Sequence, residues 1–355
     1  MFFSYLFYLF VLFACIVIAC LADKYNSTKL RNLLILLLVG VTGFRGYEVG
    51  IDTPHYVDIW NAVMWDLPVY QELGFQYLIR VLQEVSTNPT TLFVTCSVII
   101  YLPIIIRLWD FRRIASFPIM IAVLYMLFFM QSMNTMRQYC AISIVFFFTR
   151  YLFQKQYLKY CLGVLLATSL HTSSLLGFFF LGFEVLKWKS FSFRRKIFFT
   201  FFAIVGLIFG VVVYRFAYDR YGHYFEEQEK SLGVLTTSLF FAISCSYCMS
   251  KLWKKRVGIE PAEINENKFI IKVSFVSYVV GVFLQSLGYF FPFVNRISLL
   301  FVAFGIVFWG ILFKLTVRKS LKVIYSLLII ILVGLPFALS IYGNGFGTMP
   351  YSFCW

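Results

Sequence analysis

Runs of about twenty apolar residues follow one another along most of this chain, separated by short charged breaks, and any fold it adopts must accommodate them. Wound as α-helix at 1.5 Å per residue, a run of that length crosses a hydrocarbon core ~30 Å thick. Helices also satisfy their own backbone hydrogen bonds, as lipid requires. Such windows fall near 2–22, 29–44, 91–109, 117–133, 137–153, 157–170, 173–186, 197–214, 233–250, 269–289, 296–313 and 322–341. The expected fold is all-α: a polytopic integral membrane helical bundle of about twelve membrane segments, one domain over 1–355. Only 13% of residues are charged, roughly half of what a soluble surface carries. The first window has no basic residues ahead of it, which reads as a retained span rather than a cleaved leader.

A net charge of +15 would suggest nucleic acid in a soluble protein, but the positions of the charges point to topology instead. With the loops taken alternately, one set holds 24 of the 31 Lys and Arg, among them Lys24, Arg112, Arg150, Lys187, Lys254 and Lys314. The other set holds Arg45, Arg80, Arg137, Arg215, Arg220, Lys230 and Arg296. Under the positive-inside rule the larger set is cytoplasmic, so both termini are expected to be extracytoplasmic. No nucleic-acid partner is expected. Cysteines such as Cys15, Cys96 and Cys140 lie in apolar runs and read as small hydrophobes, and the Cys245/Cys248 pair has no further Cys or His beside it to make a metal site.

The segment 157–186 is apolar but broken by His171, Thr172, Ser173 and Ser174, with strongly basic loops on both sides. Two short helices that go out and return satisfy the charge rule, and about 14 residues each gives only ~21 Å of length. His171 is therefore expected at a sunken hairpin tip.

The outward side carries the informative polar residues. Its longest loop, 45–90, holds Asp52, Glu72 and other acids against only two arginines. Within it, 68–85 sets Val69, Leu73, Leu78, Leu82 and Val85 opposite Glu72, Gln76, Arg80 and Gln83, the pattern of an amphipathic helix lying along the membrane plane. Such a helix either holds the loop down or lines a substrate groove. Asp52 opens Asp52-Thr53-Pro54-His55, an N-cap and turn signature. Arg137 stands among Gln131, Asn134 and Gln138 between two spans that need only a short turn, where a charge beside lipid calls for a partner. The sequence contains no P-loop, HExxH, GxSxG or Asp-x-Asp pair. No metal or other cofactor is expected.

Together these residues resemble the EpsG-like and O-antigen polymerase (Wzy-type) membrane glycosyltransferases. The likeness is carried by Arg45 with Gly50-Ile51-Asp52-Thr53-Pro54-His55-Tyr56, by Glu72-Leu73-Gly74-Phe75, by Asn134-Thr135-Met136-Arg137-Gln138, and by His171-Thr172-Ser173-Ser174. Asn295-Arg296 and Met349-Pro350-Tyr351 match more weakly, and the good matches run over about 40–185. The resemblance implies a GT-C-like fold in the bacterial inner membrane and metal-independent joining of undecaprenyl-diphosphate-linked oligosaccharide repeat units at its outer face. Donor and acceptor are then both lipid-linked, membrane lipid surrounds the chain, and a chain-length regulator protein is a family expectation. Arginine suits the diphosphate as a planar fork of permanent charge, so Arg45, Arg137, Arg220 and Arg296, with Gln138 and Tyr56, are the expected substrate-binding residues. His171, Asp52 and Glu72 are the candidate bases for the acceptor hydroxyl, with His171 first because histidine titrates near working pH. The alternatives are a lipid-linked oligosaccharide flippase, which needs polar groups through the interior of several spans, and another membrane glycosyl or acyl transferase, which does not need several outward arginines.

Overall fold

The computed structural model describes residues 2–187, 261–288, 292–316 and 319–354. We number its helices α1 (Phe2–Tyr25), α2 (Thr28–Gly43), α3 (Thr53–Met64), α4 (Leu73–Gln83), α5 (Thr90–Asp110), α6 (Phe117–Asn134), α7 (Met136–Phe153) and α8 (Tyr157–Leu170). A 3₁₀ stretch, Thr172–Lys187, follows, and then α9 (Pro261–Leu287), α10 (Pro292–Leu315) and α11 (Lys319–Ile329). A π-helical turn at Ile330–Gly334 leads into α12 (Leu335–Tyr342). Among the described residues six segments are long and apolar enough to cross a membrane: Phe2–Tyr25, Thr90–Arg113, Phe117–Asn134, Phe269–Leu287, Val294–Leu315 and Lys322–Tyr342. The protein is a multi-pass membrane protein, and among the described residues its regular structure is helical. The expected windows 197–214 and 233–250, with Arg215, Arg220, Lys230 and the Cys245/Cys248 pair, lie outside the described residues.

Burial separates the centre of the bundle from its rim. In α6 and α10 72% and 78% of the spanning window is buried, against 28% in α1 and 33% in the last span. Apolar content does not make this distinction, since α1 is as apolar as α6 and α10 and an apolar face can meet either protein or lipid. The interior is rich in large aromatics whose polar tips are bonded, as they must be away from water. Tyr125 donates to the Tyr8 carbonyl at 2.9 Å, and Tyr101 pairs with the Ser132 hydroxyl at 2.9 Å. The Trp309 indole N–H donates to the Tyr278 hydroxyl at 3.1 Å.

The two ends of the bundle differ chemically. At one end Asp110 holds Arg150 at 2.6 Å and Arg107 at 3.2 Å, Arg107 lies 4.1 Å over the Phe111 ring, and Arg112 lies 4.3 Å over Trp109. Lys314 reaches the Arg112 carbonyl there. The opposite end carries Arg45, Arg80, Arg137 and Arg296, the described members of the smaller basic set. Both chain ends meet at this second face. Tyr8 donates to the Thr348 carbonyl at 2.6 Å, and the Tyr351 amide donates to Ser4 Oγ at 3.0 Å.

That face is closed by a strap from the C-terminal segment. Gly46 N–H donates to the Ser352 carbonyl, Cys354 N–H to Phe44 and Gly50 N–H to Gly347, each at 2.8 Å, while Ile51 N–H reaches Phe346 at 3.2 Å. Segment 44–51 is thus bonded through its backbone to 346–354. Gly50 sits at φ +103°, and a Cβ there would come within 2.9 Å of Thr53 Oγ1 and 3.1 Å of Asn134 Oδ1. Only glycine fits this turn without strain.

The break expected at His171 is present, and the chain folds back there. Tyr160 donates to the Gly177 carbonyl at 2.6 Å, so α8 and the following stretch lie against each other as two arms. The arms are unequal, which corrects the expected pair of short α-helices. The second winds as 3₁₀ helix, rising ~2.0 Å per residue, so it reaches further than an α-helix of the same residue count.

Helix α4 also differs from its expected facing. Its buried side chains are Phe75 and Ile79, while Leu73, expected on the buried side, is 82% exposed. The polar stripe divides into two groups by its contacts. Gln83 donates to the Trp60 carbonyl, Gln76 to the Gln71 carbonyl, and Arg80 pairs with Asp66, so these three hold the loop. Glu72 alone faces other chemistry.

Candidate active site

Glu72 stands at the start of α4, where it brings together residues from three parts of the chain. Its Oε2 receives Arg137 Nη1 at 2.5 Å. Its Oε1 receives the Thr172 amide at 3.0 Å and the Thr172 hydroxyl at 3.2 Å, and His171 Nδ1 lies 3.0 Å from the same oxygen. The imidazole contact is within ion-pair distance, but its angle falls outside hydrogen-bond geometry. The two carboxylate oxygens are therefore divided between α7 and the hairpin tip. Gly74 allows this approach, because a Cβ there would lie 2.5 Å from Ser169 Oγ in α8.

The electrostatics follow from this division. Burial alone would raise the Glu72 carboxyl. The His171 imidazole, the Thr172 amide, its own backbone amide and the Arg137 guanidinium outweigh burial and hold it down at about 2. Glu72 is ionised at neutral pH and is a weak proton acceptor. It presents a negative charge to both Arg137 and His171.

Arg137 is fixed from other directions as well. Its guanidinium lies 5.6 Å over the Phe75 ring, and its backbone N–H donates to the Tyr56 hydroxyl at 3.4 Å. Burial pushes the Tyr56 phenol up to about 12 against the opposing pull of Arg137, so it remains a neutral acceptor. Arg137 Nε is enclosed and has no hydrogen-bond partner among the described residues. Side-chain exposures of 22% for Arg137, 18% for Glu72 and 20% for His171 leave the three partly open to solvent, and the space they border is the candidate cleft.

The joint between α6 and α7 is the single residue Thr135, and the groups on either side of it are held tightly. Asn134 accepts the Asp52 N–H at Oδ1, 3.1 Å away. Its Nδ2 donates to the carbonyls of Phe346 at 3.1 Å and Met130 at 3.3 Å. One buried amide thus joins α6, the turn at Asp52 and the C-terminal strap. Arg45 acts on the same joint, since its Nη2 donates to the Met133 carbonyl at 2.9 Å.

The sequence-named residues therefore separate into groups. Glu72, Arg137 and His171 converge, and Tyr56 backs them. Arg45 is 1% exposed, donates also to the Thr42 carbonyl and Thr53 Oγ1, and lies 4.5 Å over Phe93, which makes it an internal bracket away from the cleft. Gln138 is buried and donates to the Arg296 carbonyl, tying α7 to α10. Arg296 itself is exposed on the first turn of α10. Asp52 occupies the N-cap position of α3, but its carboxylate makes no capping bond, so the expected side-chain cap is absent. It is half-buried and held to the site through its backbone. Arg220 lies outside the described residues. Thr172, Phe75 and Asn134 were not singled out for roles, although each adjoins a residue or motif that was.

A family model described as the EpsG family matches residues 28–353. No curated protein and no solved structure matches the chain.

Proposed function

Since the chain belongs to the EpsG family, whose members are membrane proteins associated with polysaccharide polymerase activity, we propose that it joins lipid-linked oligosaccharide repeat units into polymer. The substrates in this reading are undecaprenyl-diphosphate-linked, one as donor and one as acceptor. The Arg137 face is the outer face of a bacterial inner membrane, and both chain ends lie on that side. The same reading extends the six described spans to about twelve segments in a GT-C-like arrangement. The observation that carries it is the Glu72 clamp, which sets a guanidinium and an imidazole on one cleft wall.

The chemistry follows from that pairing. The acceptor hydroxyl attacks the anomeric carbon of the donor, and the bond from that carbon to the diphosphate oxygen breaks. Negative charge grows on the leaving diphosphate, where the solvent-facing part of the Arg137 guanidinium gains more in the transition state than in the ground state. The acceptor proton passes to the imidazole of His171, whose ring Glu72 orients. Glu72 is better suited to this role than to taking the proton itself, because a carboxyl near 2 gains little from doing so. The arginine groups neutralise the diphosphate without requiring a metal ion.

A deletion strain complemented with Arg137→Ala or His171→Ala tests the proposal. The expected product is a glycolipid carrying a single repeat unit, on the outside of the membrane, with the variant protein inserted at wild-type level. Unchanged polymer ladders from both variants refute the polymerase reading. Untranslocated glycolipid inside the membrane points to a flippase instead.

A further inference from the structure

A cavity of about 260 Å³ opens between α6, α9, α10 and the last span, away from the Glu72 clamp. Its walls include Leu127, Val282, Val302, Val333 and Phe337. These residues all lie within helices long enough to cross a membrane, so the cavity sits at the depth of the hydrocarbon core. The rim nearer the Arg137 face is different, since Gln131, Gln285 and Ser340 stand there. Polar side chains inside spanning helices are costly in lipid and mark paths for substrate. The π-helical turn Ile330–Gly334 supplies Leu332 and Val333 to the wall, and π turns inside α-helices occur often at functional sites.

The polar rim adjoins the α6–α7 joint that carries Arg137. Gln131 accepts the Tyr139 hydroxyl across the α6–α7 joint, six residues before Arg137. Phe346, also on the cavity wall, is the residue whose carbonyl Asn134 and Ile51 hold. On α10, Arg296 lies six residues before Val302, or ~9 Å nearer the Arg137 face at 1.5 Å per residue. Its carbonyl is bonded to Gln138, the neighbour of Arg137. An apolar groove with polar groups at one end and two guanidinium groups beyond them matches an amphiphile with a long hydrocarbon chain and an anionic head.

We propose that this groove seats the polyisoprenoid chain of the lipid-linked substrate, with Arg296 and Arg137 receiving its diphosphate. The inference rests on the lipid-linked substrate named above, but its test reads binding and needs no turnover. Full-length protein in phosphatidylethanolamine and phosphatidylglycerol nanodiscs is irradiated with a polyprenyl diphosphate carrying a diazirine on its chain. The expected label falls on peptides of α6, α9, α10 and the last span. Unlabelled polyprenyl diphosphate should compete it away, while excess phosphatidylglycerol should not. Filling the groove with Ser340→Phe at the half-buried rim, or independently with Val282→Phe in the wall, should lower labelling about tenfold, a change in affinity of about 1.4 kcal/mol. Arg296→Ala should lower it to a similar extent. Label confined to other helices overturns the proposal. Equal competition by phosphatidylglycerol also overturns it, because the groove then holds an ordinary acyl chain. Unchanged polymer ladders in Arg137→Ala cells, by contrast, count against the polymerase reading and leave the labelling result standing.

Discussion

Replacing Glu72 by Gln tests the clamp most directly, because it keeps the size of the side chain and removes only its charge. The carboxyl is lowered from 4.5 to about 2. At 1.36 kcal/mol per pKa unit that shift corresponds to about 3 kcal/mol of stabilisation, an upper bound for a side chain that retains some contact with solvent. The sign follows from the direction of the shift. A depressed carboxyl stabilises the fold fully above its unfolded value, and the contribution is lost as pH falls through 4.5 toward 2. At pH 7 Glu72→Gln should therefore melt a few degrees below wild type in detergent. The gap should narrow as the pH is lowered below 4.5, as followed by tryptophan fluorescence. Freeing Arg137 and His171 from a shared anchor should also cut polymer output on the order of 100-fold, the scale of a misplacement of ~1 Å. A melting gap that is absent at pH 7, or that does not change with pH, refutes the electrostatic account. Wild-type output from Glu72→Gln refutes the positioning account. If Glu72 were itself the base, wild-type output would persist in acid down to about 2.

Three further substitutions have expected outcomes. Asn134→Ala removes three hydrogen bonds of a buried amide, so it should cost about 2–3 kcal/mol and lower polymer output while the protein remains inserted; a melting curve matching wild type refutes it. Arg45→Met leaves the Thr42 and Met133 carbonyls without their donor, and it should lower the melting temperature without changing affinity for polyprenyl diphosphate. A selective loss of that affinity would move Arg45 back to the substrate. Asp110→Asn strands Arg107 and Arg150 beside one another at the other end, so it should destabilise the bundle, with a larger effect at low salt than at high.

The spans were legible because length and apolar content alone define them, and six of the expected windows are long spanning helices. The turn at His171 was legible for a similar reason, since polar residues there interrupt an apolar run between two basic loops. Arg137 stood out because charge is costly beside lipid. Its pairing with Glu72, named from the sequence only as a candidate base, was not legible, because Glu72 lies 65 residues before it and no local pattern links them. The charge bias put Arg45 on the outward side, and the family resemblance assigned it to the diphosphate. The structure instead satisfies that guanidinium with backbone carbonyls and a hydroxyl, which can come from any sequence. Gln138, which the resemblance likewise assigns to the substrate, directs its amide donor to the Arg296 carbonyl, a backbone contact that no sequence pattern announces. The facing of α4 was misread because its apolar residues run around both sides, and packing against α3 and α8 selects Phe75 and Ile79.

The strap across the Arg137 face bears on how the protein is made. Segment 44–51 leaves the ribosome about 300 residues ahead of 346–354, to which its backbone is bonded. Each span can insert as it emerges, but the joint at Asn134 cannot gain its bond to Phe346 until the last span has crossed. Membrane insertion and completion of the cleft are therefore separate events in biogenesis, and a nascent chain halted before residue 346 would sit in the bilayer with its cleft unfinished.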